Sequence, residues 1–306
     1  MLIQANDEWL KLDRLDLKRD NPDWIEERLS DPNSRFIVMS RYRFPMAKSH
    51  VVLMSQDEVE VLSAEPLQYY FLGQELTSKQ YLFAVEIIEP NQPLDDWQSM
   101  RHHSHNEPLT EILLYAQGLL NWHRECRYCE KCGDSLTSAV SGNKRLCKNE
   151  SCQSEVFPRI NPAIIVLLLN DDRCLLANSK RFPGDIPMYS CIAGFSETGE
   201  TFQQTLRREV YEEVGLEVVS EEYLGNQPWP FPASLMIGYH AQTANTEVAF
   251  HDGEIAAARW FTRQELKQAY LDKSIQLPSQ KSISFTLIAH WYNQDGQTSL
   301  EDVVQV

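Results

Sequence analysis

Basic residues and long apolar runs are scarce in this 306-residue chain. Its 28 lysine and arginine residues stand against 44 acidic residues, which gives a formal net charge of −16 at pH 7. Because binding to nucleic-acid backbones depends on clustered basic side chains, this balance argues against broad contacts with a nucleic-acid body. The longest apolar run, Ala163–Leu169, has seven residues, whereas a membrane-spanning helix needs about 20. We therefore expect neither a membrane protein nor a protein that grips a nucleic-acid backbone.

The N-terminus also lacks the features of a targeting segment. After Met1, Leu2 and Ile3 the chain continues QANDEWLKLDR, which is charged rather than hydrophobic, so we expect no signal peptide or anchor. Hydrophobic residues make up 42% of the chain, which at this length is enough to bury more than one core. These features predict a cytoplasmic protein of several domains.

Four of the seven cysteines have the spacing of a metal site. Cys129-x2-Cys132 and Cys147-x4-Cys152 are separated by fourteen residues, which is the layout of a zinc ribbon. Zinc is bound tetrahedrally by four thiolates, which two short knuckles joined by a hairpin can supply. Disulfides are the competing interpretation, but no secretory feature is visible, and an odd number of cysteines fits a reducing compartment better. The spacing predicts one structural Zn2+ per chain.

The most informative motif is an acidic loop and helix at residues 194–216. It reads GFSETGETFQQTLRREVYEEVGL, with the pattern G-x5-E-x7-R-E-x-x-E-E-x-G. The spacing of Glu209, Glu212 and Glu213 places their carboxylates on one helical face, where they repel one another unless a cation lies between them. Hard divalent ions such as Mg2+ or Mn2+ prefer oxygen ligands and bridge to phosphate oxygens. The motif therefore predicts a metal-dependent phosphate site, and a solvated acidic helix is the alternative.

A third motif, NQPWPFPAS, occupies residues 226–234. Its three prolines predict a rigid, extended loop. Trp229 and Phe231 could merely attach this loop to the core. Beside a phosphate site they could equally form a wall for a flat base or a nicotinamide ring.

These motifs together resemble a known enzyme family. The acidic motif matches the Nudix box at every specified position, and a four-cysteine ribbon, this box and QPWPFPxS in that order resemble the NADH pyrophosphatase family of the NudC type. The resemblance implies an α/β/α sandwich that hydrolyses the pyrophosphate of NADH or NAD+ to nicotinamide mononucleotide and AMP. It also implies activity on NAD caps at RNA 5′ ends, with the cap held by the pocket, and a homodimer.

The resemblance assigns catalytic and metal-binding roles to particular residues. The box residues Glu209, Glu212 and Glu213 would bind Mg2+ or Mn2+ or act as the base, with Arg208 orienting them. Two further metal ligands would come from outside the helix, namely the Ala193 backbone carbonyl and the Glu254 carboxylate.

The resemblance also implies a set of substrate contacts. Phe157 and Phe195 would stack on the adenine ring. The other implied contacts are the loop residues Gln227, Pro228, Trp229, Pro230, Phe231, Pro232, Ala233 and Ser234, together with Arg101 and Ser284.

Patterning along the chain predicts an α+β protein of three parts. A β-rich domain over residues 1–124 would end in a linking amphipathic helix near residues 108–125, followed by the zinc ribbon over 125–158 and the Nudix sandwich over 159–306. Within the sandwich, apolar runs predict strands over residues 163–169, 174–178, 189–193 and 235–241. Cys126 should end the linking helix, and Cys174 and Cys191 should be small core residues.

Two alternative functions remain open. One is a Nudix hydrolase of another dinucleotide such as ADP-ribose, which the QPWPFPAS loop disfavours. The other is a regulatory module with an inactive box, which the intact acids disfavour.

Overall fold

The computed structural model describes residues 11–47, 50–91, 97–100, 109–181, 184–251, 253–296 and 298–305. These residues form two compact units. The N-terminal unit contains Glu8–Ile160 together with the short segment Trp229–Ala233, and the C-terminal unit contains Asn161–Pro228 and Ser234–Val306. Each unit has its own sheets and its own buried cores.

The first part of the N-terminal unit is built from short strands and three described helices. In chain order its elements are β1 (Leu12–Asp13), α1 (Pro22–Leu29), β2 (Ser34–Met39), β3 (Arg43–Ala47), β4 (His50–Val51), α2 (Gln56–Val61), β5 (Tyr69–Glu75), β6 (Tyr81–Glu86), β7 (Trp97–Ser99) and α3 (Thr110–Glu125). The main sheet has the order β1-β5-β6-β2, with β2 parallel to β6. A second sheet has the order β4-β3-β7.

Alternation along β2 explains why this sheet has two cores. Successive side chains of a strand point to opposite faces. Ile37 and Met39 are buried against α3, whereas Phe36 and Val38 are buried with side chains of α1 and α2. Helix α3 contributes apolar side chains at helical spacing, namely Ile112, Leu113, Ala116, Leu119 and Leu120. The sheet therefore carries helices on both faces.

The ribbon follows α3 directly. Its strands β8 (Leu136–Ala139), β9 (Lys144–Cys147) and β10 (Glu155–Val156) form a sheet in the order β10-β9-β8. Gly133 and Gly142 have φ values of 77° and 99°, a conformation that glycine adopts readily. Because the ribbon and the preceding sheet fall within one compact unit, their division at residues 124 and 125 stays a prediction.

The C-terminal unit contains a six-stranded sheet. Its elements are β11 (Asn161–Asn170), β12 (Arg173–Ser179), β13 (Ile192–Phe195), α4 (Phe202–Val214), β14 (Val218–Trp229), β15 (Ser234–Thr243), β16 (Ile255–Phe261), α5 (Arg263–Leu271), α6 (Ile283–Tyr292) and α7 (Leu300–Val304). The strand order is β14-β15-β11-β12-β16, and β13 also pairs with β11. Strands β11 and β15 are parallel.

This unit is an α/β/α sandwich, as predicted, with strand β11 in its central sheet. Ile164, Val166 and Leu168 are buried against α4 through Leu206, Val210 and Val214. The alternate residues Ile165, Leu167 and Leu169 are buried in a second core with α5, α6 and α7. A strand buried on both faces reads as a continuous apolar run, which is why the sequence reveals it.

The predictions missed two strands and displaced a third. Strand β14 lies at the sheet edge and is buried only at Leu224 and Gly225, so its polar sequence carries no apolar run. It continues to Trp229, whereas we expected a loop from residue 226. Strand β16 was not predicted. Strand β13 begins three residues later than expected, because its pairing with β11, which places Ala163 opposite Phe195, involves only the later residues of the predicted run. No helix in the described ranges combines the length and apolar character needed to cross a membrane.

Candidate active site and metal-binding cluster

Helix α4 holds three predicted metal ligands at different depths. It begins at Thr201, where a capping box joins Thr201 and Gln204, and it ends before Gly215, which has a left-handed φ of 69°. Glu213 is buried, the Glu209 side chain is 14% exposed and the Glu212 side chain is 50% exposed. The acids therefore lie along one helix, from a buried position to a solvated one.

Arg208 connects the acids of the box. Its Nε and Nη2 donate to the two carboxylate oxygens of Glu200, at 2.7 and 2.9 Å. Its Nη1 donates to Glu209 at 2.8 Å and to Glu212 at 3.0 Å, and Nη2 also donates to the Phe195 carbonyl at 3.0 Å. These are the contacts that an orienting role for Arg208 requires.

The same contacts set the ionisation of the acids. Hydrogen bonds from Arg208, and then from the backbone N–H of Glu197, lower the pKa of Glu200 to about 2. Burial raises the pKa of Glu209, and Arg208 opposes this shift. The Glu200 carboxylate in turn raises the pKa of Arg208, so its guanidinium stays charged. Glu209 is thus a partly buried carboxylate whose ionised form would gain from a nearby cation.

Gly194 leaves the space that the Glu209 carboxylate fills. A Cβ atom built on Gly194 would lie 1.9 Å from Cδ of Glu209 and 2.2 Å from each carboxylate oxygen. Pairing with β11 places Gly194 opposite Ile164, which fixes β13 beside α4. The box therefore begins with glycine because a carboxylate occupies the place of a side chain.

Two further predicted ligands lie on neighbouring segments of the C-terminal unit. Ala193 is exposed on β13, next to Gly194. Glu254 precedes β16, and its carboxylate forms an ion pair of 2.5 Å with Arg181. A bound cation would compete with Arg181 for this carboxylate, and the ligand roles of both residues stay predictions.

The four cysteines of the ribbon converge on one point. Their Sγ atoms all lie within 4.8 Å of one another, with 3.8 Å between Cys129 and Cys152 and 3.4 Å between Cys132 and Cys147. Four sulfurs held about 2.3 Å from a tetrahedral Zn2+ would be separated by about 3.8 Å. Backbone N–H groups of Cys132 and Lys131 lower the pKa of Cys129 to about 7, which favours its thiolate. The cluster can hold a tetrahedral metal ion.

The remaining cysteines lie outside this cluster. Cys126 is the C-cap residue of α3, as expected. Cys174 and Cys191 are buried in the core of the C-terminal unit. In the described part of the chain, no other group of three histidine, cysteine or acidic ligand atoms comes together at this spacing.

The loop motif is anchored at its start in the C-terminal unit. Gln227 Nε2 donates to the Lys281 carbonyl at 2.7 Å, and the backbone N–H of Ile283 donates to Gln227 Oε1 at 2.8 Å. Pro228 follows in β14, and Ser234 begins β15. The two ends of the motif are therefore parts of adjacent strands.

The middle of the motif belongs to the N-terminal unit. The Trp229 ring is half-buried and contacts Phe231 edge-on at 5.1 Å, and Phe231 lies 5.6 Å from Tyr42. Asn121 of α3 donates through Nδ2 to the carbonyls of Pro230 at 2.7 Å and Pro232 at 3.0 Å. Ala233 completes this segment. Part of the Trp229 ring remains accessible to a ligand.

The other predicted substrate contacts differ in accessibility. Phe157 is 60% exposed and Phe195 is 55% exposed, so a face of each ring is available for stacking. Ser284 is buried, with its hydroxyl 2.8 Å from the Ser190 hydroxyl and accepting from the Cys191 N–H at 3.2 Å. Arg101 lies outside the described residues. All four roles stay predictions.

Sequence reasoning gave no role to several residues that hold the acidic box or the loop motif in place. Glu200 was noted as a motif position, but not as the partner that holds Arg208. Asn121 and Gln117 were overlooked, although two polar residues one helical turn apart on an apolar helix face are an unusual pattern. That pattern is a signal for a buried partner elsewhere in the chain.

Comparison with known proteins identifies the family of this chain. Residues 159–280 match the NUDIX domain family. The chain is 32% identical to the NAD-capped RNA hydrolase NUDT12 of Homo sapiens, over 92% of this chain and 71% of that protein. The chain belongs to the NudC-type family of Nudix hydrolases. It is also 35% identical to the NAD-capped RNA hydrolase NudC of Mycobacterium bovis, over 83% of this chain and 84% of that protein. A solved NUDIX hydrolase from Nitrosomonas europaea is 15% identical to this chain, with a TM-score of 0.43. The alignment covers 56% of this chain and 94% of the solved one.

In this Nudix hydrolase, Gly194→Ala should displace the Glu209 carboxylate because the new methyl group would occupy its place. Since misplacement of a catalytic group by about 1 Å can cost on the order of 100-fold in rate, we expect kcat to fall by about that factor while the fold is retained. Steady-state kinetics with circular dichroism would measure both. Gly184→Ala is the matched control, because its nearest neighbour would be the Ile186 carbonyl at 3.5 Å; equal losses in both variants would contradict the explanation.

Glu200→Gln should destabilise the protein in a pH-dependent way. The pKa of Glu200 is lowered from an ordinary value of 4.5 to about 2, so its stabilising contribution is complete above about pH 4.5 and is lost as the pH falls toward 2. The difference in Tm between wild type and variant should therefore be largest near neutrality and should shrink below pH 4.5. Thermal melts across this range, with Glu222→Gln on exposed β14 as control, would detect it; a pH-independent difference would argue against the ion pair.

Proposed function

We propose that the protein hydrolyses the pyrophosphate bond of NADH and NAD+, releasing nicotinamide mononucleotide and AMP, and that it removes NAD caps from RNA 5′ ends. The observation that carries this proposal is the intact acidic face of α4, in which Arg208 binds Glu209 and Glu212 and the Glu209 carboxylate lies against Gly194. The identity with two NAD-capped RNA hydrolases supports the same substrate class.

The reaction adds one water molecule across the P–O–P bridge. The water oxygen forms a new bond to one phosphorus while the bond from that phosphorus to the bridging oxygen breaks. The bridging oxygen leaves with the other phosphate, and a proton of the water passes to a base. For NADH and NAD+ the two products are nucleoside monophosphates, and for NAD-capped RNA they are nicotinamide mononucleotide and an RNA with a 5′-monophosphate.

The carboxylates of α4 are the type of ligand that Mg2+ and Mn2+ prefer, and we propose these as the catalytic ions; in the described residues their oxygen atoms do not converge as the four cysteine sulfurs do. Glu209, Glu212 and Glu213 offer hard carboxylate oxygens, to which Glu254 and the Ala193 carbonyl would add. When bound, such ions polarise the phosphoryl oxygens and lower the pKa of the attacking water. Which of the three box glutamates accepts the proton is a question for the variants below.

The protein's own residues supply orientation. Arg208 is charged and bound to three carboxylates, so each is held in one direction before any ligand arrives. Glu213 is buried and keeps little freedom to move. This preorganisation reduces the reorganisation that the reaction would otherwise require.

Aromatic rings would recognise the two bases of the dinucleotide. The exposed rings of Phe157 and Phe195 offer flat faces for adenine, and the partly exposed Trp229 offers a face for nicotinamide. Such a pocket would read the cap of an RNA without a basic groove, which fits a chain with a net charge of −16.

We further propose that the four-cysteine cluster holds one structural Zn2+, that the enzyme is a homodimer, and that it acts in the cytoplasm. The sulfur spacing supports the first point. The homodimer rests on the family resemblance, and the cytoplasmic location rests on the sequence pattern.

A comparison of substrates with matched variants tests the proposed function. We expect turnover of NADH, NAD+ and NAD-capped RNA to require Mg2+ or Mn2+, with a higher kcat/KM than for ADP-ribose. Glu212→Gln and Glu213→Gln keep the length and nearly the volume of the side chain while removing a charge, so the fold should survive. We expect kcat to fall by about 100-fold or more in both, with partial recovery at high Mn2+ for a metal ligand and none for the base.

Several results would contradict this assignment. Near-normal kcat in both variants, with intact circular dichroism, would remove the metal-dependent mechanism. A preference for ADP-ribose would support the alternative substrate, and no turnover of any dinucleotide would support a regulatory module. Glu222→Gln, an exposed residue of β14, should behave like wild type.

Loss of zinc should destabilise the ribbon. Cys147→Ser removes one of four thiolates, and because a small module of this kind depends on its metal, zinc content and Tm should fall together. Elemental analysis should find one zinc per chain in the wild type. Cys126→Ser, only three residues before the first knuckle, should keep its zinc; a folded, active wild type without zinc would exclude the site.

A further inference from the structure

The segment Trp229–Ala233 depends on hydrogen bonds from elsewhere in the chain. Pro230 and Pro232 have no backbone N–H, so at these positions the loop offers only acceptors. Within the loop, the Phe231 N–H donates to the Trp229 carbonyl at 2.7 Å. Pro230 is buried, and a buried carbonyl without a donor is costly. A donor must therefore reach this loop.

Asn121 supplies that donor to both proline carbonyls. Its Nδ2 lies 2.7 Å from the Pro230 oxygen and 3.0 Å from the Pro232 oxygen. The residue is 1% exposed, so the contact is protected from water. One side chain thus fixes the carbonyls on either side of Phe231.

The orientation of the Asn121 amide is determined by its partners. Its Oδ1 accepts from Gln117 Nε2 at 2.8 Å and from the Arg124 guanidinium, which can only donate. The proline carbonyls can only accept, so Nδ2 has to face them. With two bonds to each end, the amide has its full set of partners.

A polar network on the N-terminal unit holds Asn121 in turn. Gln117 Nε2 also donates to the Arg41 carbonyl at 3.0 Å, and Arg124 pairs with Glu86 of β6. Gln117 is fully buried and its Oε1 finds no hydrogen-bond partner among the described residues. Burial of such groups beside the apolar residues of α3 is costly. A wholly apolar helix face would avoid the free-energy cost of burying these polar groups. Their presence therefore indicates that the network is needed.

The aromatic residues of the loop are fixed by the same arrangement. Phe231 lies between the two carbonyls that Asn121 holds, and its ring contacts both Tyr42 and Trp229. Arg124 also lies over the Tyr42 ring, 5.6 Å from its centre. The position of Trp229 therefore depends on Asn121 through Pro230, Phe231 and the network behind them.

We infer that Asn121 is a positioning residue for Trp229 and that it thereby affects the preference for nicotinamide-bearing substrates. This inference rests on the proposed function, in which Trp229 stacks on the nicotinamide ring. The acids of α4 are not involved.

Asn121→Asp is the sharpest test because it keeps the shape of the side chain and turns the donor into an acceptor. The carboxylate would repel both proline carbonyls, while Gln117 and Arg124 would keep an acceptor. We expect KM for NADH to rise on the order of tenfold, the loss that follows when buried partners are left unpaired. Turnover of ADP-ribose, which lacks nicotinamide, should stay within about twofold of wild type because the box is untouched.

A double-mutant cycle separates positioning from general damage. Trp229→Ala should raise KM for NADH more than for ADP-ribose, and Asn121→Asp should add little in that background, since both act on one ring. Asn143→Asp is the control, because Asn143 is part of the same unit and its Nδ2 donates to the Val140 carbonyl at 3.4 Å, a bond that a carboxylate cannot make. It should lower Tm without changing selectivity. If Asn121→Asp does not fold, Asn121→Ala should show the same selective rise in KM.

The outcomes distinguish failure of the Asn121 inference from failure of the proposed function. If wild type does not turn over NADH in preference to ADP-ribose, the proposed function fails. If wild type shows that preference and Trp229→Ala loses it, but Asn121→Asp keeps it, the inference alone is wrong. Equal losses on both substrates in the Asn121 variants would show a purely structural residue and would also overturn it.

Discussion

The site depends on one guanidinium placed among carboxylates. Arg208 binds Glu200 through two parallel hydrogen bonds and reaches Glu209 and Glu212 with its remaining donor. Without it, acids clustered on one helical face would repel one another and turn toward solvent. Because Glu200 precedes α4 and accepts two of the hydrogen bonds, Arg208 is held by a residue outside the helix as well as by residues on it. The acids keep a fixed direction, which a site for divalent ions requires.

The sheet of the C-terminal unit gives this helix its position. Alternate residues of β11 pack on α4, and β13 pairs with the same strand, so the box helix and the glycine strand share one rigid neighbour. The close approach of Glu209 to Gly194 follows from that arrangement. The geometry of the acidic box is thus a consequence of packing on a central strand buried on both faces.

The N-terminal unit holds the segment Trp229–Ala233 through polar groups buried in an otherwise apolar helix. Gln117 and Asn121 lie among the leucines of α3, where hydrogen-bonded partners are needed to offset their burial. Those partners are the backbone of Arg41 and of a loop far along the chain. A proline-rich loop with few donors and a helix with an embedded amide are complementary in hydrogen-bonding capacity.

The sequence alone predicted the features of the fold and of the candidate site that depend on residues close together in the chain. The periodicity of α4 brings Glu209 and Glu212 to one face, the cysteine pairs form knuckles, and the apolar run of β11 identifies a central strand. The sequence did not predict the polar edge strand β14 or the close approach of Glu209 to Gly194. Nor did it predict the hydrogen bond from Asn121 to the carbonyl of Pro230, 109 residues away. Helical and knuckle geometry are fixed by local backbone bonds, whereas edge pairing, close approach and buried polar partners depend on which distant segments the folded chain brings together.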